Sequence, residues 1–247
     1  MLDAFAGTGI YDLQDESAAR SPEYLDGIAK IWQQDVQLSP LINDYLDTLS
    51  GATNANQNYY AGSPFLMASL LRPQDRGVFN ELHPTDFQIL RENMREFNYK
   101  GAAKIEISNI DAWQSIKAKL PPKERRGLII IDPPFEKPGE FERMINAVKE
   151  GQKRFATGVY ALWHANKNDT QTNQYRAGLI AANVRFLWVQ MKIGDMKNQK
   201  GLVSAGLAII NPPFGLEPQL KHALPQLLSV LAKDGTAEYQ IREYSNC

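Results

Sequence analysis

The segment Gly127-Leu128-Ile129-Ile130-Ile131-Asp132-Pro133-Pro134-Phe135 runs a block of apolar residues straight into an acid, two prolines and an aromatic ring. A fully apolar run with no polar alternation predicts a central parallel strand covered on both faces. Prolines lack backbone donors and fix φ, so the carbonyls that follow this strand are rigid and free to accept from a ligand. Asp132 and a proline carbonyl can together grip an exocyclic amino group. Phe135 offers a flat face for a base, a stacking contact worth about 1–3 kcal/mol in single-strand binders. A proline-rich turn leaving a central strand accounts for the same four residues without any function.

Short β-like runs alternate with helical stretches on both sides of this segment, the pattern of an α/β fold. Upstream, strands are expected at Met1–Phe5, 77–82 and 104–107, with helices at 84–97 and 111–120. Downstream come a helix at 140–155, an apolar strand at 158–163, a helix at 174–182, and two long β runs at 184–192 and 202–210. A helical stretch at 216–232, interrupted at Pro225, and an edge strand at 236–242 complete the chain. Residues 12–75 read differently. Ser21-Pro22-Glu23 starts a helix with Tyr24, Leu25, Ile28, Ile31 and Trp32 on one face. A second helix carries Leu41, Ile42, Tyr45, Leu46 and Leu49; residues 51–60 form a loop; Gly62-Ser63-Pro64 starts a third helix. The expected architecture is a doubly wound, mostly parallel, Rossmann-like α/β sheet. A helical insertion (12–75) follows the first strand, and the two late β runs pair as an antiparallel hairpin. The sheet domain is thus 1–11 with 76–247.

Composition narrows the function. The chain has 247 residues, 27 Lys+Arg against 28 Asp+Glu, and a net charge of −1. That excludes a basic nucleic-acid coat and leaves only a local patch for any nucleic-acid contact. The sole cysteine is Cys247, so an intramolecular disulfide and cysteine zinc sites are excluded. His83, His164 and His222 are too far apart for a ligand motif, and no metal is expected. No apolar run approaches the ~18 residues of a membrane span, and no signal peptide stands at the N-terminus. These features predict a reduced, cytoplasmic protein.

Three further groups share the strand-end pattern. Asp3-Ala4-Phe5-Ala6-Gly7-Thr8-Gly9 places glycines directly after the first strand, where the backbone turns sharply and a ligand can approach closely. An ordinary strand-to-loop turn explains it equally well. A phosphate site is less attractive, since no Lys-Ser/Thr follows and the third glycine of a dinucleotide fingerprint is absent. Glu81 ends the next strand, where a carboxylate can bind both hydroxyls of a ribose or simply stand in solvent. Asp111 can cap a helix or accept from an adenine amino group.

Taken in order on successive strand ends, the glycine loop, Glu81, Asp111 and Asp132-Pro133-Pro134-Phe135 resemble an S-adenosylmethionine-dependent amino-methyltransferase, whose mark is (D/N)-P-P-(Y/F/W). A second copy, Asn211-Pro212-Pro213-Phe214, comes late in the chain. The first is favoured because it ends the fourth strand of the pattern, where this class carries it. At finer grain the chain resembles the RlmJ family, the 23S rRNA adenine-N6 methyltransferases of bacteria. The matching segments are 2–9, 23–29, 60–64, 81–84, 126–135, 154–158, 160–163 and 211–213, nearly the whole chain.

The resemblance implies S-adenosyl-L-methionine as cofactor, held by Asp3, Phe5, Ala6, Gly7 and Gly9, with Ser63 at its carboxylate, Glu81 on the ribose, and Asp111 and Ala112 on the adenine. It implies Asp132 as catalytic acceptor, with Pro133, Pro134 and Phe135 around a flipped adenine. Phe5 stands where the family often has a histidine, which removes a polar group from beside the cofactor. The family also carries a basic, histidine-bearing segment before the first strand. Here the chain starts inside that strand, which implies residues missing before Met1 or a chain incompetent as it stands. The implied partner is 23S rRNA before full ribosome assembly, met by a monomer with no membrane contact. Lys117, Lys119, Lys123, Arg125, Arg126, Lys149, Lys153 and Arg154 form the basic RNA face, or equally a solvated surface. Two other functions fit the motifs: methylation of DNA adenine or protein glutamine, and nucleic-acid binding without catalysis, in line with the family's older association with use of external DNA.

Overall fold

Residues 1–16, 18, 22–34, 38–95, 103–196 and 201–245 are described by a computed structural model. The strands are β1 (Leu2–Asp3), β2 (Ile10–Asp12), β3 (Tyr59–Ala61), β4 (Arg76–Asn80), β5 (Lys104–Ser108), β6 (Leu128–Ile131), β7 (Val159–Ala165), β8 (Phe186–Lys192), β9 (Ser204–Ile210) and β10 (Glu238–Tyr244). The helices are α1 (Glu23–Asp26), α2 (Ile28–Trp32), α3 (Pro40–Ala52), α4 (Ser63–Ser69), α5 (Pro84–Asn93), α6 (Ala112–Lys119), α7 (Glu140–Arg154), α8 (Asp169–Ala181) and α9 (Leu216–Leu231). Eight strands form one mostly parallel sheet in the order β10-β8-β9-β7-β6-β1-β4-β5, as an α/β fold requires; β2 and β3 form a separate ribbon. No helix among the described residues is long and apolar enough to cross a membrane.

The chain divides into two compact units, Met1–Asp12 with Leu46–Ala161, and Leu13–Tyr45 with Leu162–Cys247. Residues 12–75, read from sequence as one insertion, are therefore shared between them.

In the first unit β1 is the central strand, parallel to β4 on one side and β6 on the other, with Asp3 opposite Phe79 and Ile130. β5 continues the parallel set beside β4. In β6, Ile129 and Ile131 are buried and Leu128 and Ile130 half-buried, so one face is more fully covered than the other. Helix α7 buries Met144, Ala147, Val148 and Gly151, spaced 3, 1 and 3 residues apart along one stripe. Gly151 is where α7 meets β7: a Cβ there would lie 2.7 Å from the Tyr160 ring.

In the second unit β8 pairs antiparallel with β9 and with β10. The expected late hairpin is present, and β10 is the expected edge strand. Pro225 lies inside a continuous α9 and does not interrupt it. The single helix expected from residue 23 is broken at Gly27 (φ −110°, ψ −110°) into α1 and α2, which leaves Leu25 exposed while Ile28 and Ile31 are buried. The cap expected at Ser21 and the apolar position at Phe97 lie outside the described residues.

Candidate active site

Asp3, Glu81, Asp111 and Asp132 all lie at or just past the C-terminal ends of parallel strands, where ligands bind in open α/β sheets. β4 ends at Asn80, so Glu81 stands one residue beyond the strand that was expected to contain it. The Glu81 amide still bonds the Ser108 carbonyl at 3.0 Å, which fixes the acid beside β5.

The glycine loop is pinned along its length. The Ala4 amide donates to the Ile130 carbonyl at 3.0 Å and the Ala6 amide to the Asn80 carbonyl at 2.9 Å. The Gly7 amide donates to Glu81 Oε2 at 2.8 Å. Asn93 on α5 donates to the Thr8 carbonyl at 2.9 Å, and the Gly62 amide donates to the Gly9 carbonyl at 2.8 Å. Gly7 (φ +60°) and Gly9 (φ +82°) adopt the left-handed conformation that favours glycine. A Cβ at Gly9 would lie 2.9 Å from Leu90 and 3.1 Å from Phe65, so this glycine also lets the loop lie on α4 and α5.

Asn80, to which no sequence motif points, is buried and uses its whole side-chain amide. Its Nδ2 donates to the carbonyls of Ala4 (3.2 Å) and Ile110 (2.9 Å), and its Oδ1 accepts from the Ser108 hydroxyl (2.8 Å) and the Ile110 amide (3.3 Å). One side chain thus ties the ends of β1 and β5 to the loop that leads into α6. A lone polar residue at the end of the apolar run Val78-Phe79 was the signal that could have revealed it. Asp111 caps α6, accepting from the Gln114 amide at 3.0 Å, and Ala112 is buried as the first residue of that helix. Phe5 packs edge-on against Trp113, with centroids 5.3 Å apart. An aromatic pair thus stands beside the glycine loop.

Electrostatics distinguish the acids. Burial raises the Asp3 carboxyl to about 6; the Ser63 hydroxyl and the Phe5 amide oppose this, and the Glu81 charge adds to it. Asp132 is open to solvent but walled by surrounding protein, which raises its carboxyl to about 7, with the Asp3 charge contributing. Pro133 is buried, Pro134 exposed and Phe135 half-buried, its ring 5.2 Å from that of Phe141. Phe135 has φ +54°, a conformation that costs an aromatic residue about 1–3 kcal/mol.

The second tetrapeptide differs in backbone and in place. Its left-handed residue is Asn211 (φ +51°), a type that tolerates this conformation, and Phe214 is fully exposed. The Asn211 amide bonds the Arg185 carbonyl at 3.2 Å, just before β8 begins. At the other end of β9, Ser204 accepts from the Asn166 amide, just past the C-terminal end of β7. Asn211 therefore lies away from the C-terminal end of β7.

The acceptors and the glycine cradle suit a cationic nucleoside such as S-adenosylmethionine. Asp3 Oδ2 is buried with no hydrogen-bond partner among the described atoms, a position that favours positive charge nearby. Each Glu81 oxygen takes one backbone amide and keeps a lone pair for a hydroxyl. Of the basic residues, Lys123, Arg125 and Arg126 precede β6, whereas Asp132 follows it, so they stand at opposite ends of that strand. Lys119 is paired with Glu106 and Lys153 with Glu150. Lys117 and Arg154 act electrostatically on the same Glu150, so α6 and α7 present their basic residues together.

The family model described as ribosomal RNA large subunit methyltransferase D, RlmJ, matches residues 1–242. The ribosomal RNA large subunit methyltransferase J of Haemophilus influenzae is 37% identical over 243 residues, covering 97% of this chain and 84% of the relative. The protein of the same description from Escherichia coli K12 is 40% identical over 237 residues, covering 95% and 82%. The crystal structure of protein LPL1258 from Legionella pneumophila superposes with a TM-score of 0.88 at 31% identity, covering 99% of this chain and 88% of that one.

Proposed function

The chain belongs to the RlmJ family of ribosomal RNA large subunit methyltransferases, and from that premise we propose that it methylates N6 of one adenine in 23S rRNA, before the ribosome is fully assembled and as a cytoplasmic monomer. The activity itself is S-adenosylmethionine-dependent methylation of large-subunit rRNA. The observation that carries the finer reading is Asp132 at the C-terminal end of β6, followed by two prolines and a half-buried ring.

S-adenosylmethionine supplies an electrophilic methyl group. Gly7, Gly9, Asp3, Phe5, Ala6 and Ser63 would surround its amino-acid end, Glu81 its ribose, and Asp111 with Ala112 its adenine. Phe135 stacks on the flipped target base. Asp132 and a proline carbonyl accept the N6 hydrogens, which orients the nitrogen lone pair and leaves a carboxylate to take the proton that N6 sheds. A carboxyl held near neutrality suits that task. Catalysis then rests chiefly on positioning. The basic residues of α6, α7 and the loop before β6 hold RNA away from the reacting base.

The test is transfer of labelled methyl to unmodified 23S rRNA, with duplex DNA and a glutamine-containing peptide as rival acceptors. Incorporation into rRNA alone, recovered as N6-methyladenine and lost in Asp132→Ala, is the expected result. Incorporation into either rival overturns the assignment.

A further inference from the structure

The β2–β3 ribbon pairs Ile10 with Ala61, Tyr11 with Tyr60 and Asp12 with Tyr59. It carries Tyr11 to the glycine loop. A Cβ added at Gly7 would fall 2.5 Å from the Tyr11 hydroxyl oxygen, and one added at Gly62 would fall 3.0 Å from its Cε2. The ring therefore lies against two glycines whose neighbours, Ala6 and Ser63, are expected cofactor contacts. The absence of a side chain at Gly7 and Gly62 makes room for this tyrosine.

The phenol is hydrogen-bonded with Thr8, and the carboxylates of Asp3, Glu81 and Asp132 all act on it. The charges of three acids from three strand ends thus reach one neutral donor. Burial and those charges push its pKa up, so the hydroxyl keeps its proton at neutral pH.

A ligand ending in an amino acid presents a carboxylate as well as an ammonium group. That carboxylate is repelled by Asp3, Glu81 and Asp132 and needs donors. The Ser63 hydroxyl faces Asp3, and the Thr8 hydroxyl donates to the Ile10 carbonyl at 3.1 Å. The Tyr11 O–H rotates about its C–O bond and can leave Thr8 for a ligand. We propose that Tyr11 is a cofactor-binding residue whose hydroxyl donates to the amino-acid carboxylate of S-adenosylmethionine. This rests on the reading that the glycine loop holds that cofactor.

The experiment is calorimetric binding of S-adenosylhomocysteine and of its decarboxylated analogue, the weaker ligand by competition, to the wild type and to Tyr11→Phe. The wild type should prefer the carboxylate-bearing ligand, and the substitution should cut that preference about tenfold with the analogue's own affinity unchanged. A preference unaltered by Tyr11→Phe, a parallel loss for both ligands, or no preference in the wild type overturns the proposal. Failure of the wild type to bind either ligand overturns the cofactor reading beneath it.

Discussion

Glu81 accepts the Gly7 amide at 2.8 Å through one carboxylate oxygen, and with the other accepts the His83 amide at 2.7 Å. The acid expected to bind ribose is therefore also the clamp on the glycine loop. Hydrogen bonds to a charged group contribute about 1.5–3 kcal/mol, so Glu81→Ala should weaken S-adenosylhomocysteine binding about 10–100-fold. Titration calorimetry measures this directly; an unchanged Kd would remove Glu81 from the site.

Asp132 must be ionised to accept a proton. With its carboxyl near 7, methyl transfer should rise with pH through neutrality and level off above it. Asp3→Asn removes the negative neighbour, so the rising limb should move to lower pH. Asp132→Asn should lower the rate about 10²–10⁴-fold without weakening cofactor binding. Rate profiles between about pH 5 and 9 check all three outcomes.

The same raised carboxyl burdens the fold. Its folded value lies above the ordinary 3.8, so between those two values the folded state binds more protons than the unfolded one. Stability then falls as pH rises through that window. Asp132→Asn should therefore have the higher Tm at pH ~8, with the difference vanishing near pH ~4. A wild-type Tm equal to or above that of the variant at the upper pH would contradict this.

Gly7→Ala carries two penalties, a left-handed φ of +60° and a collision with the Tyr11 hydroxyl. The first costs about 1–2 kcal/mol. Tyr11→Phe removes only the second, because the next ring atom, Cζ, lies 3.7 Å away. Denaturant unfolding of the two single variants and the double should therefore show coupling of about 0.5–1 kcal/mol, with the double less destabilised than the sum.

Exposed Lys123 and Arg126 should act through phosphates. Replacing both with glutamate should weaken rRNA binding across sequences and flatten the salt dependence of log K by about 0.7–0.9 for each phosphate no longer neutralised. Filter binding across a salt series would show it, and a slope equal to the wild type would mark these residues as plain surface.

Much of this arrangement was legible in the chain. The parallel strands announced themselves through apolar runs such as Gly127–Ile131, and the acids that follow them fell at strand ends because strands and loops are local features. The β2–β3 ribbon was not legible. Ile10–Asp12 and Tyr59–Ala61 are three residues each, too short to show a period, and their pairing is a long-range event. Tyr11 was hidden with them. The continuity of α9 through Pro225 was also missed: a missing N–H weakens a helix, but packing of Ala223, Leu224 and Leu231 keeps it whole. The two proline tetrapeptides looked alike as text and differ in space, because backbone handedness at Phe135 and Asn211 is not written in residue types.

Asn80 is wholly buried, so no ligand can reach its side chain. Yet its amide fixes the carbonyls of Ala4 and Ile110 and the hydroxyl of Ser108. The glycine turn and the approach to Asp111 consequently share one origin. A group that touches no ligand thus shapes the expected nucleoside site, and a hydroxyl side chain there, with a single donor, could not bond the Ala4 and Ile110 carbonyls together.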